Sequence, residues 1–245
     1  MLFNIFSKVI LNDAMGVMEG VLKMNENMKS VILNRINRTA EALKRNNMEF
    51  HYAESKVEVL TIISNLLKNG DVVATGGSVT LEECGVIDHL RTDKYKYLDK
   101  AAIDHDKMDQ LYRASFTADA YITSANAVTE NGELFNVDGR GNRVAAICYG
   151  PKSVIVVVGY NKIVNNLDEA VNRVKSTAAP ANTQRLTCAT YCYERGCCQA
   201  PTNGISNITE GCSSDARICC DYLITGHQRE KDRIKVIIVG EKLGY

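Results

Sequence analysis

The sequence lacks several features that mark common protein classes. Its 245 residues contain no tryptophan and only three prolines, and low proline content favours long helices joined by short loops. Lysine plus arginine and aspartate plus glutamate balance at 29 each, so there is no basic excess of the kind that binds nucleic acid. No apolar run reaches about 18 residues, which argues against a membrane span. With 45% apolar residues, the chain can still fill a sizeable core.

The first residues also lack the parts of a secretory signal. An apolar start is present, but no basic stretch precedes it and no small-residue cleavage site of the usual form follows. We therefore expect a cytoplasmic protein. Met24 and Met28 are alternative starts, so residues 1–28 are treated as an N-terminal extension that is either a genuine helix or an over-long gene start. The main domain is expected over residues 29–245.

Strand and helix patterns alternate through the first half of the chain. Short apolar strands are separated by segments with helical spacing, which predicts a mostly parallel sheet with helices on both faces. One such helix is expected from about Thr80 to His89. The predicted strands of this sheet are Phe50–Ala53, Val72–Thr75, Tyr95–Leu98, Ala120–Thr123, Ser153–Val158 and Ile234–Val239.

The pattern changes between residues 127 and 148. Ala127–Thr129, Leu134–Val137 and Arg143–Cys148 are predicted as short strands, separated by the turn signals Asn131-Gly132 and Asp138-Gly139. The fold class is therefore α/β with an inserted β-meander, followed by a cysteine-rich C-terminal loop over 186–220.

A glycine turn after the second strand is the first candidate site. Gly76, Gly77 and Ser78 follow the strand, and Thr80-x-x-Glu83 fits a capping box that would start the next helix. Glycine lets the backbone approach a ligand, and free N–H groups at a helix start attract anions. This pattern favours a carboxylate or phosphate site formed by Gly76, Gly77, Ser78 and Thr80, although an ordinary βα turn has the same pattern.

The meander carries a second candidate site, because its turns are rich in polar residues. The guanidinium of Arg143 suits bidentate pairing with a carboxylate. The candidate ligand-binding residues of this region are Asn126, Asp138, Gly139, Asn142 and Arg143.

Cysteine is unusually abundant in this sequence, with nine residues. Cys84 and Cys148 are expected as small core residues, and the other seven of nine lie between 188 and 220. In a reducing compartment a thiol cluster favours a metal or redox site over disulfides. No Cys-x-x-Cys occurs, so the spacing of a zinc ribbon is missing. Free structural thiols and a redox disulfide remain alternatives.

Several segments together resemble the LUD family of lactate-utilization proteins. They are GGSVTLEE (76–83), TSANAVTENGELFNVDGRGNRVAA (123–146), GPKSVIVVVGYNKIV (150–164), CSSDARIC (212–219) and VIIVGEKLGY (236–245). The resemblance covers about residues 29–245. It implies the fold shared by CoA transferases, ribose-5-phosphate isomerase and glucosamine-6-phosphate deaminase, and a part in oxidation of L-lactate, usually within an iron–sulfur-dependent multi-protein system.

The resemblance also assigns roles to particular residues. Lys162, after the SVIVVVG strand, is expected to neutralise an acid ligand. Glu130-Asn131-Gly132 is similar to the element around the nucleophilic glutamate of CoA transferases, so Glu130 is a candidate nucleophile, with a plain hairpin turn as the alternative. The implied metal ligands are Cys188, Cys197, Cys212 and Cys219; only one of Cys197 and Cys198 is chosen because adjacent cysteines rarely bind one ion. An iron–sulfur cluster is the expected cofactor, with zinc as the alternative.

The sequence thus predicts a protein that binds a small carboxylate or phosphate-bearing ligand and acts in oxidation of L-lactate or a related hydroxy acid. Electron-transfer partner proteins are expected, and self-association is left open. Two other functions are kept: a CoA-transferase-like or sugar-phosphate enzyme that uses Glu130, and a non-catalytic redox sensor or assembly partner.

Overall fold

The computed structural model describes residues 25–200 and 203–245. Most of the predicted N-terminal extension, residues 1–24, lies outside the described residues. Residues 25–34, of which 26–34 are the first part of helix α1, belong to a separate unit, while Arg35–Tyr245 form one compact body. Within the described ranges, none of the helices combines the length and apolarity that a membrane crossing needs.

The larger sheet of the described chain has six parallel strands, in the order β1-β10-β7-β4-β2-β3. This confirms the predicted parallel α/β architecture. The strands are β1 (Glu49–Ala53), β2 (Val72–Thr75), β3 (Lys96–Tyr97), β4 (Ala120–Thr123), β7 (Ser153–Gly159) and β10 (Ile234–Val239).

The centre of this sheet is the core of the protein. Strand β7 lies between β10 and β4, and its residues 154–158 are completely buried. An unbroken apolar strand of this kind is expected where helices cover both faces of a sheet. Flanking helices are α1 (Glu26–Arg45), α2 (Glu58–Leu66), α3 (Val79–Glu83), α4 (Val86–Leu90) and α5 (Met108–Ala114).

The helix predicted from Thr80 to His89 is in fact the two short helices α3 and α4. Gly85 lies between them with a positive φ of +69°, a backbone conformation that few residues other than glycine adopt. The segment after the glycine turn therefore consists of two five-residue helices and not of one continuous helix.

A second sheet of four strands contains the predicted hairpin. Its order is β8-β5-β6-β9, and the Asn131-Gly132 turn joins β5 to β6 as expected. Strand β9, from the end of the cysteine-rich segment, pairs antiparallel with β6. The strands are β5 (Ala127–Thr129), β6 (Leu134–Asp138), β8 (Ile163–Val164) and β9 (Asp221–Thr225).

The prediction of a strand over Arg143–Cys148 is wrong, because these residues form helix α6 (Asn142–Tyr149). The carboxylate of Asp138 accepts hydrogen bonds from the backbone N–H groups of Arg143 and Val144. A carboxylate that satisfies the free N–H groups of a first turn stabilises a helix start. The remaining helices are α7 (Leu167–Arg173), a π-helical turn (Val174–Ala178), α8 (Ala179–Leu186) and α9 (Tyr191–Arg195).

Candidate functional site

The glycine turn lies at the carboxyl end of β2, where α/β sheets commonly bind ligands. Helix α3 starts at Val79, and the hydroxyl of Ser78 accepts a hydrogen bond from the N–H of Leu81. The capping box predicted at Thr80 and Glu83 is therefore wrong, because the capping residue lies two positions earlier. The N–H groups of Gly77 and Ser78 donate to no acceptor in residues 25–200 and 203–245.

Gly76 has a packing reason to be glycine. Its N–H extends the sheet by donating to the carbonyl of Ile122. A Cβ at this position would lie 2.5 Å from Oγ1 of Thr123 and 2.9 Å from Cδ of Arg143. Both distances are too short for carbon contacts, so any larger residue would push the turn away from β4 and α6.

A cleft of about 380 Å³ opens beside this turn. The turn residues Gly76, Gly77 and Ser78 form one wall, and the loop after β3 forms another. Asp99 on that second wall forms an ion pair with Arg91, which follows helix α4, with Nε of Arg91 2.7 Å from Oδ2 of Asp99. The other lining residues include Thr75, Glu82, Ile87, Tyr97 and Lys100.

Lys100 is the cleft residue with the clearest capacity to bind an anion. Burial and the nearby charge of Arg143 lower its pKa from 10.5 to about 8. No carboxylate of the described chain is within ion-pair distance of its ammonium, which contacts the ring of Tyr112 at 5.7 Å. Lys100 is not among the residues predicted from sequence, since a lysine in a short polar segment has no local signal that tertiary contacts will partly bury it.

Arg143 organises the polar residues that the sequence predicted as a ligand site. Its five side-chain N–H groups all have acceptors inside the protein. Asp138 binds Nε at 3.0 Å, Asn136 binds Nη1 at 2.7 Å and Asn126 binds Nη2 at 3.1 Å. The carbonyls of Ser124 and Val137 accept the other two. The predicted residues Asn126, Asp138 and Arg143 therefore do meet, and the carboxylate that the guanidinium holds is that of Asp138.

The other two residues predicted in this region lie at its edge. A Cβ at Gly139 would lie 3.2 Å from Cα of Ile218, so this glycine allows the cysteine-rich segment to approach closely. Asn142 is the first residue of α6. Neither residue lines the cleft.

Lys162 is buried, with only 3% of its surface exposed. Its ammonium donates to the hydroxyls of Thr80 at 2.9 Å and Ser124 at 3.1 Å, and no carboxylate of the described residues pairs with it. Burial, followed by the charges of Arg173 and Arg143, lowers its pKa to about 7. Thr80 and Lys162, which were both predicted to bind the ligand, are thus hydrogen-bonded to each other next to the cleft-forming turn.

The segment around Gly244 covers this lysine. The N–H of Gly244 donates to a carboxylate oxygen of Glu83 at 2.7 Å, and the side chain of Asn161 bonds to the backbone of Leu243 and Gly244. A Cβ at Gly244 would lie 2.6 Å from Oγ1 of Thr80. The lysine is therefore shielded from solvent by backbone.

Charges of both signs lie around the cleft-forming turn: Arg91 and Lys100 line the cleft together with Glu82, Asp88 and Asp99. Both Lys100 and Lys162 have lowered pKa values through burial, and the guanidinium of Arg143 lowers both further. Asp138 and Glu83 oppose these shifts only in part. Because like charges repel one another in a low-dielectric region, an anion bound beside Lys100 would reduce its repulsion with Arg143.

Glu130 lies away from the cleft, at the turn between β5 and β6. Its carboxylate pairs with Nε of Arg35 at 2.7 Å and with Nη2 of Arg38 at 2.8 Å. Both arginines lie on α1. The structure therefore places this candidate nucleophile in an ion-pair cluster and not among the residues that line the cleft.

The four cysteines predicted as metal ligands do not line one common cavity. Among the residues that the structure describes, no three His, Cys, Asp or Glu side chains are arranged to hold a metal ion. Cys212 and Cys219 line a common cavity, whereas Cys188 and Cys197 do not. The four predicted ligands thus do not fit a cluster as they stand. Of the two cysteines expected in the core, Cys84 is buried, but the prediction for Cys148 is wrong because it is exposed.

Comparison with known proteins gives one family and a set of structural likenesses. A family model described as the LUD domain matches residues 36–239. A crystal structure of a DUF162 family protein from Deinococcus radiodurans is 19% identical, covers 85% of this chain and 98% of its own, and has a TM-score of 0.48. The delta subunit of eIF2B from Chaetomium thermophilum is 16% identical over 60% of this chain and 59% of its own (TM-score 0.31). A D-ribose-5-phosphate isomerase in complex with phospho-erythronic acid is 16% identical over 54% of this chain and 64% of its own (TM-score 0.31). No curated protein matches the chain.

Proposed function

The chain belongs to the LUD domain family, and from that membership we propose that it is a lactate-utilization-type protein that takes part in oxidation of L-lactate or a related hydroxy acid. In this proposal the cleft beside Gly76, Gly77 and Ser78 binds the small acid. The protein acts in the cytoplasm; its nine cysteines, all within the described ranges, are unpaired, which suits a reducing compartment.

The single observation that carries the proposal is Lys100. Its side chain lines the cleft, is half-buried, and has no carboxylate partner in the described chain. A half-buried cation without a counter-ion costs free energy, and a ligand carboxylate would reduce that cost. The unpaired N–H groups of Gly77 and Ser78 lie on the same cleft and supply two further donors.

The proposed chemistry is a two-electron oxidation. Conversion of a 2-hydroxy acid to a 2-oxo acid removes two electrons and two protons from the hydroxyl and its carbon. The cleft residues bind and orient the acid, the two electrons pass to an electron-transfer partner protein, and the two protons are released to solvent. We keep an iron–sulfur cluster or zinc on the C-terminal cysteines as the proposed cofactor. We assign no step of the acid chemistry to it, because the predicted thiols do not share one cavity.

A binding titration tests this proposal. We expect L-lactate and pyruvate to bind the purified chain, and Lys100→Met to weaken the binding by about 10- to 100-fold, the effect of losing one charge-assisted hydrogen bond. Binding should also weaken above pH 8, because Lys100 is protonated below its pKa of about 8 and neutral above it.

Lys107→Met is the matched control. Lys107 is exposed and, among the described residues, pairs with Asp104 alone, so its loss should leave the affinity unchanged. Unaltered lactate affinity in Lys100→Met, with an unaltered melting temperature, would refute the proposed site.

A further inference from the structure

The cleft beside the glycine turn is larger than lactate requires. Its volume is about 380 Å³, and pockets of about 300 to 1,000 Å³ commonly hold ligands of drug size. An acid as small as lactate would therefore fill only a small part of it. The size of the cleft favours a longer ligand, with its acid group beside Lys100 and its body along the remaining wall.

The wall that such a body would contact is mostly polar. Ile87 and Ala101 are the aliphatic residues beyond the glycine turn that line the cleft. Thr75 and Tyr97, whose hydroxyl oxygens are 2.8 Å apart, also line it. Because pockets for drug-sized ligands are usually lined by apolar side chains, this lining indicates a hydrophilic ligand.

Hydrogen-bond acceptors with negative charge lie on this wall. Glu82, on helix α3, is exposed, and its carboxylate forms no hydrogen bond or ion pair within the described ranges. Asp88, on α4, is exposed as well, with its Oδ1 3.2 Å from Nη1 of Arg91. Arg91 also pairs with Asp99 at 2.7 Å. An ionised carboxylate only accepts hydrogen bonds, so a ligand that contacts this wall needs several donors.

The balance of charge decides which donors suit this wall. Three carboxylates and two cations line the cleft, so its lining is negative overall. An acid group beside Lys100 lies next to a cation, but a second anionic group further along would face the carboxylates and be repelled. Hydroxyl groups can donate to the carboxylates and accept from Arg91, and they add no charge to the ligand.

We propose that the cleft binds a monocarboxylic acid with several hydroxyl groups, such as gluconate, in preference to lactate. This inference rests on the proposed function, since it keeps the carboxylate of the ligand beside Lys100. The hydroxyl groups further along the ligand donate to Glu82 and Asp88. The proposed oxidation is unchanged, because a sugar acid carries the same 2-hydroxyl group as lactate.

Isothermal titration calorimetry of the purified full chain with three acids tests this preference. We expect gluconate to bind about 10- to 100-fold more tightly than lactate, the effect of one or two added hydrogen bonds to charged groups. Glucarate differs from gluconate in having a second carboxylate at the far end of the molecule. It should bind at least about 10-fold more weakly than gluconate, because that carboxylate faces Glu82 and Asp88.

Neutral variants show whether the carboxylates cause this discrimination. Glu82→Gln and Asp88→Asn keep the shape of the side chain and remove its charge, so each should reduce the preference for gluconate over glucarate by about 5-fold or more. Asp109→Asn is the matched control and should keep the wild-type preference. Asp109 is exposed on helix α5 and pairs with Arg113 one turn away, much as Asp88 pairs with Arg91. The melting temperature of each variant shows whether it is folded.

Lys100→Met distinguishes a failure of this inference from a failure of the proposed acid site. The substitution should weaken the binding of lactate and of gluconate by a similar factor of about 10 to 100. If it does so while gluconate binds no more tightly than lactate, or while glucarate binds as tightly as gluconate, the acid site stands and the present inference is overturned. An unchanged preference in both Glu82→Gln and Asp88→Asn would overturn it as well. If neither lactate nor gluconate binds, or if Lys100→Met changes neither affinity, the acid site fails and this inference fails with it.

Discussion

The buried Lys162 should make the stability of the protein depend on pH in a way that one substitution removes. In the folded state its pKa is lowered from 10.5 to about 7, chiefly by burial and then by Arg173 and Arg143, with Glu83 and Cys84 opposing. Between these two pH values the unfolded chain binds a proton that the folded chain does not. Stability therefore rises with pH in this window.

The size of the effect follows from the same two pKa values. Integrating the proton uptake from pH 6 to pH 9 gives a gain of about 2 to 3 kcal/mol in the free energy of unfolding from this residue alone. Lys162→Met keeps much of the side-chain volume and removes the titrating group. We expect the variant to lose this rise in stability with pH, so that its stability relative to the wild-type chain is highest at pH 6.

Urea unfolding at pH 6, 7, 8 and 9 measures the difference between the wild-type chain and Lys162→Met. Exposed Lys96 supplies the control, since Lys96→Met should preserve the wild-type pH dependence. Parallel curves for the wild-type chain and Lys162→Met would refute the reasoning, because they would show that burial does not change the protonation of this amine.

Two further substitutions, the first with a matched control, test the packing of the turn and the role of the ion-pair cluster. Gly76→Ala should lower the free energy of unfolding by about 1 to 3 kcal/mol, since its methyl group overlaps side chains on β4 and α6. The control Gly77→Ala should be nearly neutral, because there is open space around its Cβ, and equal thermal melts for the two variants would contradict this. Glu130→Gln should lower the free energy of unfolding by about 1 kcal/mol through its lost ion pairs and leave the lactate affinity unchanged. Weaker lactate binding, or loss of an acyl-CoA turnover seen in the wild-type chain, would instead favour a catalytic role for this carboxylate.

Strands of the larger sheet could be predicted closely from sequence. Val72–Thr75, Ala120–Thr123 and Ile234–Val239 have the bounds expected, because each is a short apolar run between clear turn signals. The six residues Arg143–Cys148 were not predictable in the same way. A run of this length has no unambiguous period, and its helix depends on a carboxylate that caps it from the preceding strand.

The candidate site could be predicted in position but not in detail. The glycine turn and Lys162 follow from local motifs, and both lie where parallel strands end. The lowered pKa of Lys100 depends on tertiary neighbours, Arg143 among them, that no local pattern identifies. Which thiols share a cavity is likewise decided by the path of the chain between residues 186 and 220, since spacing alone does not distinguish Cys197 from Cys198.

The strand order has a consequence for synthesis. Strand β1 pairs only with β10 in the described chain, and Glu49 aligns with Lys235, so this partner leaves the ribosome 186 residues later. At roughly 5 to 20 residues per second, β1 waits on the order of 10 to 40 s with both its edges unpaired. During that interval the nascent protein presents an open strand, and we expect chaperone binding or premature aggregation to begin there.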